Sequence, residues 1–156
     1  MFISGHTHYL YNVENYDVDG LKVTEWNNGA ICGNFWTTAQ KGLNICVDGT
    51  PGGYRILTVR NGGFESRYKG IGKKENYLFR TYDRNCMNLN EAKLDKYTAG
   101  YIAGENKENW VYIYIWDYKP SWKISVEEYG KGGSCRVLTP SKIDSLDPLY
   151  MLMYEK

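Results

Sequence analysis

Histidine is the scarcest reactive residue in this chain. There are two among 156 residues, His6 and His8. A Ser-His-Asp or Cys-His centre needs a positioned imidazole, so either would have to draw on this pair, and no Gly-x-Ser-x-Gly turn is present to carry a serine nucleophile. The four cysteines, Cys32, Cys46, Cys86 and Cys135, are scattered and lack the Cys-x-x-Cys spacing of a zinc ribbon. They are expected as buried free thiols, although an even count also permits disulfides. An excess of one charge is missing too. Nineteen basic residues oppose eighteen acidic ones, for a net charge of +1. That balance favours neither nucleic acid nor an anionic membrane as partner. No apolar run approaches the roughly 20 residues needed to cross a bilayer as a helix. The charged share of 24% and the hydrophobic share of 42% exclude a disordered or fibrous chain, and the length suits one domain with a real core.

Aromatic residues are abundant instead. The chain holds fifteen tyrosines and five tryptophans, accompanied by seventeen glycines. Aromatic and β-branched runs punctuated by Gly and Asn predict strands and turns. Leu21 to Trp26 alternates with period two. Tyr54 to Val59 and Phe64 to Lys69 flank Arg60-Asn61-Gly62-Gly63, and an Asn-Gly step between alternating runs predicts a hairpin. Tyr77 to Tyr82 and Cys135 to Thr139 are further strand candidates, and Asn90 to Lys96 could hold a helical turn. Trp110 to Trp116 puts Trp110, Tyr112, Tyr114 and Trp116 on one face and Val111, Ile113 and Ile115 on the other. Both faces can be buried, which places the segment at the centre of a sheet. It is expected to pair through the Lys119-Pro120 turn with Trp122 to Glu128. The predicted class is all-β, a β-sandwich-like antiparallel domain with little helix. Phe2-Ile3-Ser4 reads as the end of a strand and Leu149 to Tyr154 as an apolar end, so both termini suggest a piece of a longer protein.

Three site candidates emerge. In an extended segment His6 and His8 project to the same side, where two imidazoles can meet one ion, and Gly5 allows a tight turn. Two exposed or hydrogen-bonded histidines account for the same residues. The stripe Trp110, Tyr112, Tyr114 and Trp116 is a stacking platform for carbohydrate, an inter-sheet core, or a face that packs with Trp26 and Trp36 against another domain. The Asp48 to Gly53 loop lacks the Lys-Ser/Thr of a phosphate-binding loop and reads as a turn, with Asp48 capping it or facing a ligand.

Ser4-Gly5-His6-Thr7-His8-Tyr9 after an apolar strand resembles the last metal motif of the calcineurin-like metallophosphoesterases. Asn28-Gly29-Ala30-Ile31-Cys32-Gly33-Asn34-Phe35-Trp36, then Asp48-Gly49-Thr50-Pro51-Gly52-Gly53-Tyr54, then Tyr68-Lys69, Arg80-Thr81-Tyr82-Asp83 and Trp122-Lys123, resemble in order the landmarks of the carboxy-terminal domain of bacterial members. The chain departs at Asn28, where that family usually has His, and at Phe35, where it usually has Trp.

The resemblance implies a division into residues 1–25, the tail of a catalytic domain, and residues 26–156, a β accessory domain. It implies a divalent metal pair (Mn, Fe or Zn) in an intact parent, with His6 on one ion and His8 on the other. It also implies an N-terminal catalytic domain as partner and an envelope or secreted setting. A dinuclear centre needs carboxylates that hold its ions about 3.5–4 Å apart. The family's Asp-x-His, Gly-Asp-x-x-Asp and Gly-Asn-His-Glu segments do not occur here. The chain alone is therefore expected to hold no cofactor and no catalytic residue.

Overall fold

A computed structural model describes residues 1–34, 43–87 and 109–153. The chain is all-β. Its strands are β1 Phe2–Ser4, β2 Tyr11–Val18, β3 Leu21–Asn27, β4 Gly53–Arg60, β5 Gly63–Gly70, β6 Phe79–Asp83, β7 Val111–Ile115, β8 Val126–Tyr129 and β9 Cys135–Leu138. A 3-10 turn at Arg84–Cys86 and a six-residue helix, α1 Pro148–Met153, complete the described elements. The described strands form one three-stranded sheet, β1-β3-β2, and three antiparallel pairs, β4-β5, β6-β7 and β8-β9. Residues 90–96, where a helical turn is expected, lie outside the described residues, as do Phe35 and Trp36.

The β4-β5 hairpin forms as its turn residues dictate. Asn61 and Gly62 both adopt positive φ, 49° and 74°, the twist a two-residue hairpin loop requires. Arg60 pairs with Gly63, and the ladder runs without a break to Gly53 and Gly70. Asp19 and Gly20 turn β2 into β3 in the same way, with φ of 50° and 82°.

Two expectations change. First, β1 pairs parallel to β3, Phe2 opposite Glu25 and Ser4 opposite Asn27, so the domain is not wholly antiparallel. The chain reverses between β1 and β2, and β1 takes the edge of β3 that β2 leaves open. Second, among the described residues β7 is not central, and it does not pair with the segment after Pro120. Its partner is β6, Phe79 opposite Ile115 and Asp83 opposite Val111. The Lys119-Pro120 turn does form, closed by Trp122 N–H donating to the Lys119 carbonyl at 2.9 Å. No pairing with β7 follows it, because the chain has already left the β7 direction at Asp117, whose φ is 54° and whose carboxylate is committed elsewhere.

The core is small. Leu10, Tyr68 and Trp116 are buried together, with Tyr77 and Tyr114 packed against them. Tyr77 and Trp116 meet with ring centroids 4.9 Å apart, and Tyr114 and Trp116 at 6.1 Å, both tilted. Such pairs add about 0.5–1.5 kcal/mol beyond burial. No described helix is long and apolar enough to cross a membrane.

Candidate functional site

Gly5 to Leu10 connects β1 to β2 and carries both histidines. His6 and His8 have φ of 76° and 59°, so the backbone there is left-handed rather than extended. The same-side projection expected of an extended His-x-His therefore does not apply. The turn is what reverses the chain, and it is pinned on several sides. Thr7 Oγ1 accepts from Asn27 Nδ2 at 2.5 Å, the His8 carbonyl accepts from Val47 N–H at 3.0 Å, and Leu10 drops into the core.

His6 is exposed and His8 half-buried. The Nδ1 of His8 lies 3.1 Å from the Asn34 carbonyl oxygen. With the proton on Nδ1, that carbonyl would accept it and Nε2 would keep its lone pair, the tautomer in which imidazole binds a metal. The pair does not make a centre: among the described residues, no group of three or more His, Cys, Asp and Glu could hold a metal ion.

The loop of residues 43–53 lies beside this turn. Ile45 bridges Pro51, Cys46 N–H donates to the Thr50 carbonyl at 2.7 Å, and Cys46 and Thr50 are fully buried. Asp48 closes the turn and also ties it to β7. Its Oδ2 accepts from Thr50 Oγ1 at 2.6 Å and from Tyr114 Oη at 2.7 Å. Burial raises the Asp48 carboxyl above its ordinary value, and these hydrogen bonds pull it partly back. Burial likewise pushes the Tyr114 phenol up, and the Asp48 charge adds to the rise. The Cys46 thiol is pushed up to about 12, chiefly by burial, so it supplies no thiolate at neutral pH. All four cysteines are free, as expected, but only Cys46 is buried. Cys86 and Cys135 are exposed because the 3-10 turn and β9 that carry them bury nothing.

The aromatic stripe divides along its length. Trp116 is 2% exposed and Trp110 is 41% exposed, with Tyr112 and Tyr114 between. The guanidinium of Arg84 stands 5.1 Å from the Tyr112 ring centroid and that of Arg80 stands 5.7 Å from Trp116. A cation thus already stands over one face of each of these two rings. Trp26 is covered by Arg55 at 5.4 Å and Lys119 at 6.0 Å.

Sequence reasoning missed two largely buried ion pairs among the described residues. Arg55 on β4 and Asp117 after β7 form an ion pair at 2.6 Å with both side chains 2% exposed. Asn12 Oδ1 and Asn28 Oδ1 accept from the other guanidinium nitrogens at 2.9 and 2.8 Å, while Tyr68 N–H donates to Asp117 Oδ2 at 3.1 Å. Asn28, standing where the resembling family has His, thus serves as an acceptor for Arg55. Arg80 on β6 donates to Asp147 at 3.3 Å and to the Gly49 carbonyl, and Tyr82 Oη donates to Asp147 Oδ2 at 2.7 Å. Gly49, with φ of 86°, sits so close that a Cβ there would fall 2.3 Å from Asp147 Cγ. An arginine inside an apolar strand, and an aspartate directly after an aromatic one, are the signals that could have found the first pair.

A family model described as the C terminal of calcineurin-like phosphoesterase matches residues 25–156. The chain belongs to this family of phosphoesterase C-terminal domains. Searches of the curated proteins and of the solved structures return no match.

Proposed function

We propose that this domain is the accessory partner of a metal-dependent phosphoesterase domain preceding it in one polypeptide, and that it does not hydrolyse phosphoesters alone. The observation that carries this reading is the family match over residues 25–156, preceded closely by Gly5-His6-Thr7-His8. Residues 1–25 belong to the catalytic side and residues 26–156 to the accessory side. The sheet β1-β3-β2 spans the junction, since Glu25 and Trp26 are neighbours in β3.

A pair of divalent ions (Mn, Fe or Zn), held in part by His6 and His8, would supply Lewis-acid polarisation of a phosphoryl oxygen and a more acidic bound water. This chain contributes His6 and His8, with His8 held by the Asn34 carbonyl, while the carboxylates come from the catalytic domain. The accessory domain fixes the histidine turn through Val47 and Asn27 and borders the rim of the site.

Turnover of a chromogenic phosphodiester with added manganese is the test. We expect none from the 156-residue chain. Clear turnover that His6→Ala abolishes would overturn the reading. A binding module that uses its aromatic face for carbohydrate or protein contact is the second reading, favoured by the exposure of Trp110 at the outer end of the stripe. Glycan binding by the isolated chain, lost in Trp110→Ala, would decide for it.

A further inference from the structure

The segment between Asp117 and Asp147 is built differently from the rest. Both aspartates are buried and each is held by an arginine, Asp117 by Arg55 and Asp147 by Arg80. Asp147 also caps α1, its Oδ1 accepting from Leu149 N–H at 3.0 Å and Tyr150 N–H at 3.2 Å. Near its first root the segment is tied down again. Asn12 Nδ2 donates to the Tyr118 carbonyl at 3.2 Å, Lys119 Nζ to the Ser66 carbonyl at 2.8 Å, and Tyr118 meets Trp122 edge-on. Beyond that the chain projects. Every residue from Glu127 to Ser145 is exposed, including all of β9 and three of the four residues of β8.

A two-stranded hairpin with both faces in water is marginally stable and presents two open edges. This one also carries an apolar face. Opposed pairs share a side of the ladder, so Tyr129, Cys135 and Val137 lie together with Glu127, while Glu128 and Arg136 pair on the reverse. Tyr129 is 71% exposed and Val137 72%. Such residues rooted at both ends by buried ion pairs have the form of an arm made for a partner. From Lys123 to Asp144 four basic residues stand against three acidic ones, so a polyanion or a charged membrane is a poor fit.

We propose that this arm, residues 118–146, docks through its Tyr129-Cys135-Val137 face onto the phosphoesterase catalytic domain. The proposal rests on the functional reading above. Continuity selects this occupant. The arm leaves the body against Asn12 of β2, in the sheet that joins the catalytic side, so a domain attached there lies within its reach. Covalent linkage holds that domain at an effective concentration on the order of millimolar, far above that of a free partner.

Cys135 reports on the contact. N-ethylmaleimide labelling is followed in the 156-residue chain and in the polypeptide where the phosphoesterase domain precedes it, with exposed Cys86 as reference. Docking is expected to slow alkylation of Cys135 by about tenfold or more, as for any group released only by local opening, and to leave Cys86 unchanged. Val137→Lys, at an exposed position that folding tolerates, restores the rate. Equal Cys135 rates in both proteins would overturn the proposal. So would protection that already grows with concentration in the 156-residue chain, since a second copy then covers the face. Phosphodiester turnover by the longer polypeptide is measured in parallel. Protection without turnover rejects the functional reading and leaves the docking standing, whereas turnover without protection does the reverse.

Discussion

The body and the arm use the same chemical pairs at opposite degrees of burial. In the body Arg55 meets Asp117 with both side chains 2% exposed; in the arm Arg136 meets Glu128 with 72% and 49% exposed. In the body Tyr114 donates to Asp48 beneath the loop, and in the arm Tyr129 donates to Glu127 in open water. The difference lies in what surrounds each pair. Around Arg55, Asn12, Asn28 and Ser66 accept three more of its N–H groups. Around Arg136 solvent does so. A buried ion pair is costly to break rather than a large source of net stability, because the surviving partner is stranded away from water.

Asp117→Ala tests this most sharply. It leaves the Arg55 guanidinium buried without its carboxylate and Tyr68 N–H without its acceptor. We expect a loss of about 3–5 kcal/mol in urea unfolding. A loss below about 1 kcal/mol would mean that water reaches Arg55, and the body would then be no drier than the arm.

A smaller effect concerns pH. Burial raises the carboxyls of Asp48 and Asp147 above the ordinary 3.8. Between 3.8 and those raised values the folded chain binds more protons than the unfolded one. Stability contributed by these two groups therefore falls as pH rises through that window and is level above it. Acidification from neutrality into the window should raise the urea midpoint through these groups. Asp48→Asn should flatten that rise while keeping an acceptor for Tyr114. Identical pH slopes in the two proteins would show that Asp48 does not titrate in the window.

The body is legible in sequence wherever local chemistry decides the structure. Asn61-Gly62 fixes the β4-β5 turn because both residues must take positive φ, and the Leu21 to Trp26 alternation yields β3. The ordered motifs point to the family that the chain belongs to. What escapes is set by partners distant along the chain. Asp117 ends the β7 direction because Arg55 waits 62 positions away, and nothing next to Asp117 encodes that. The histidine segment is a turn and not extended, because a period-two rule says nothing of a chain that must reverse to put Leu10 in the core. The apolar stretch from Leu149 reads as a bare terminus, although Asp147 before Pro148 is a helix-start signal that α1 obeys. Arm exposure is illegible for a related reason: Val126, Tyr129, Val137 and Leu138 have the composition of a packed strand pair, and sequence does not say whether the packing surface lies in the same domain.

The smallest expected effect completes the comparison. Glu128→Ala removes the carboxylate from Arg136, as Asp117→Ala removes it from Arg55. Both arm side chains already face water, so the freed guanidinium is solvated at once and no charge is stranded. Exposed pairs of this kind are worth about 0–1 kcal/mol, and the urea midpoint of the 156-residue chain should barely move. A hairpin this exposed is expected to open more readily than the body, so loss of one of its contacts should register in amide exchange at β8 and β9 before it registers in global unfolding. If Glu128→Ala instead cost as much as Asp117→Ala, the arm would have to be packed in the isolated chain, and the contrast drawn between the two regions would fail.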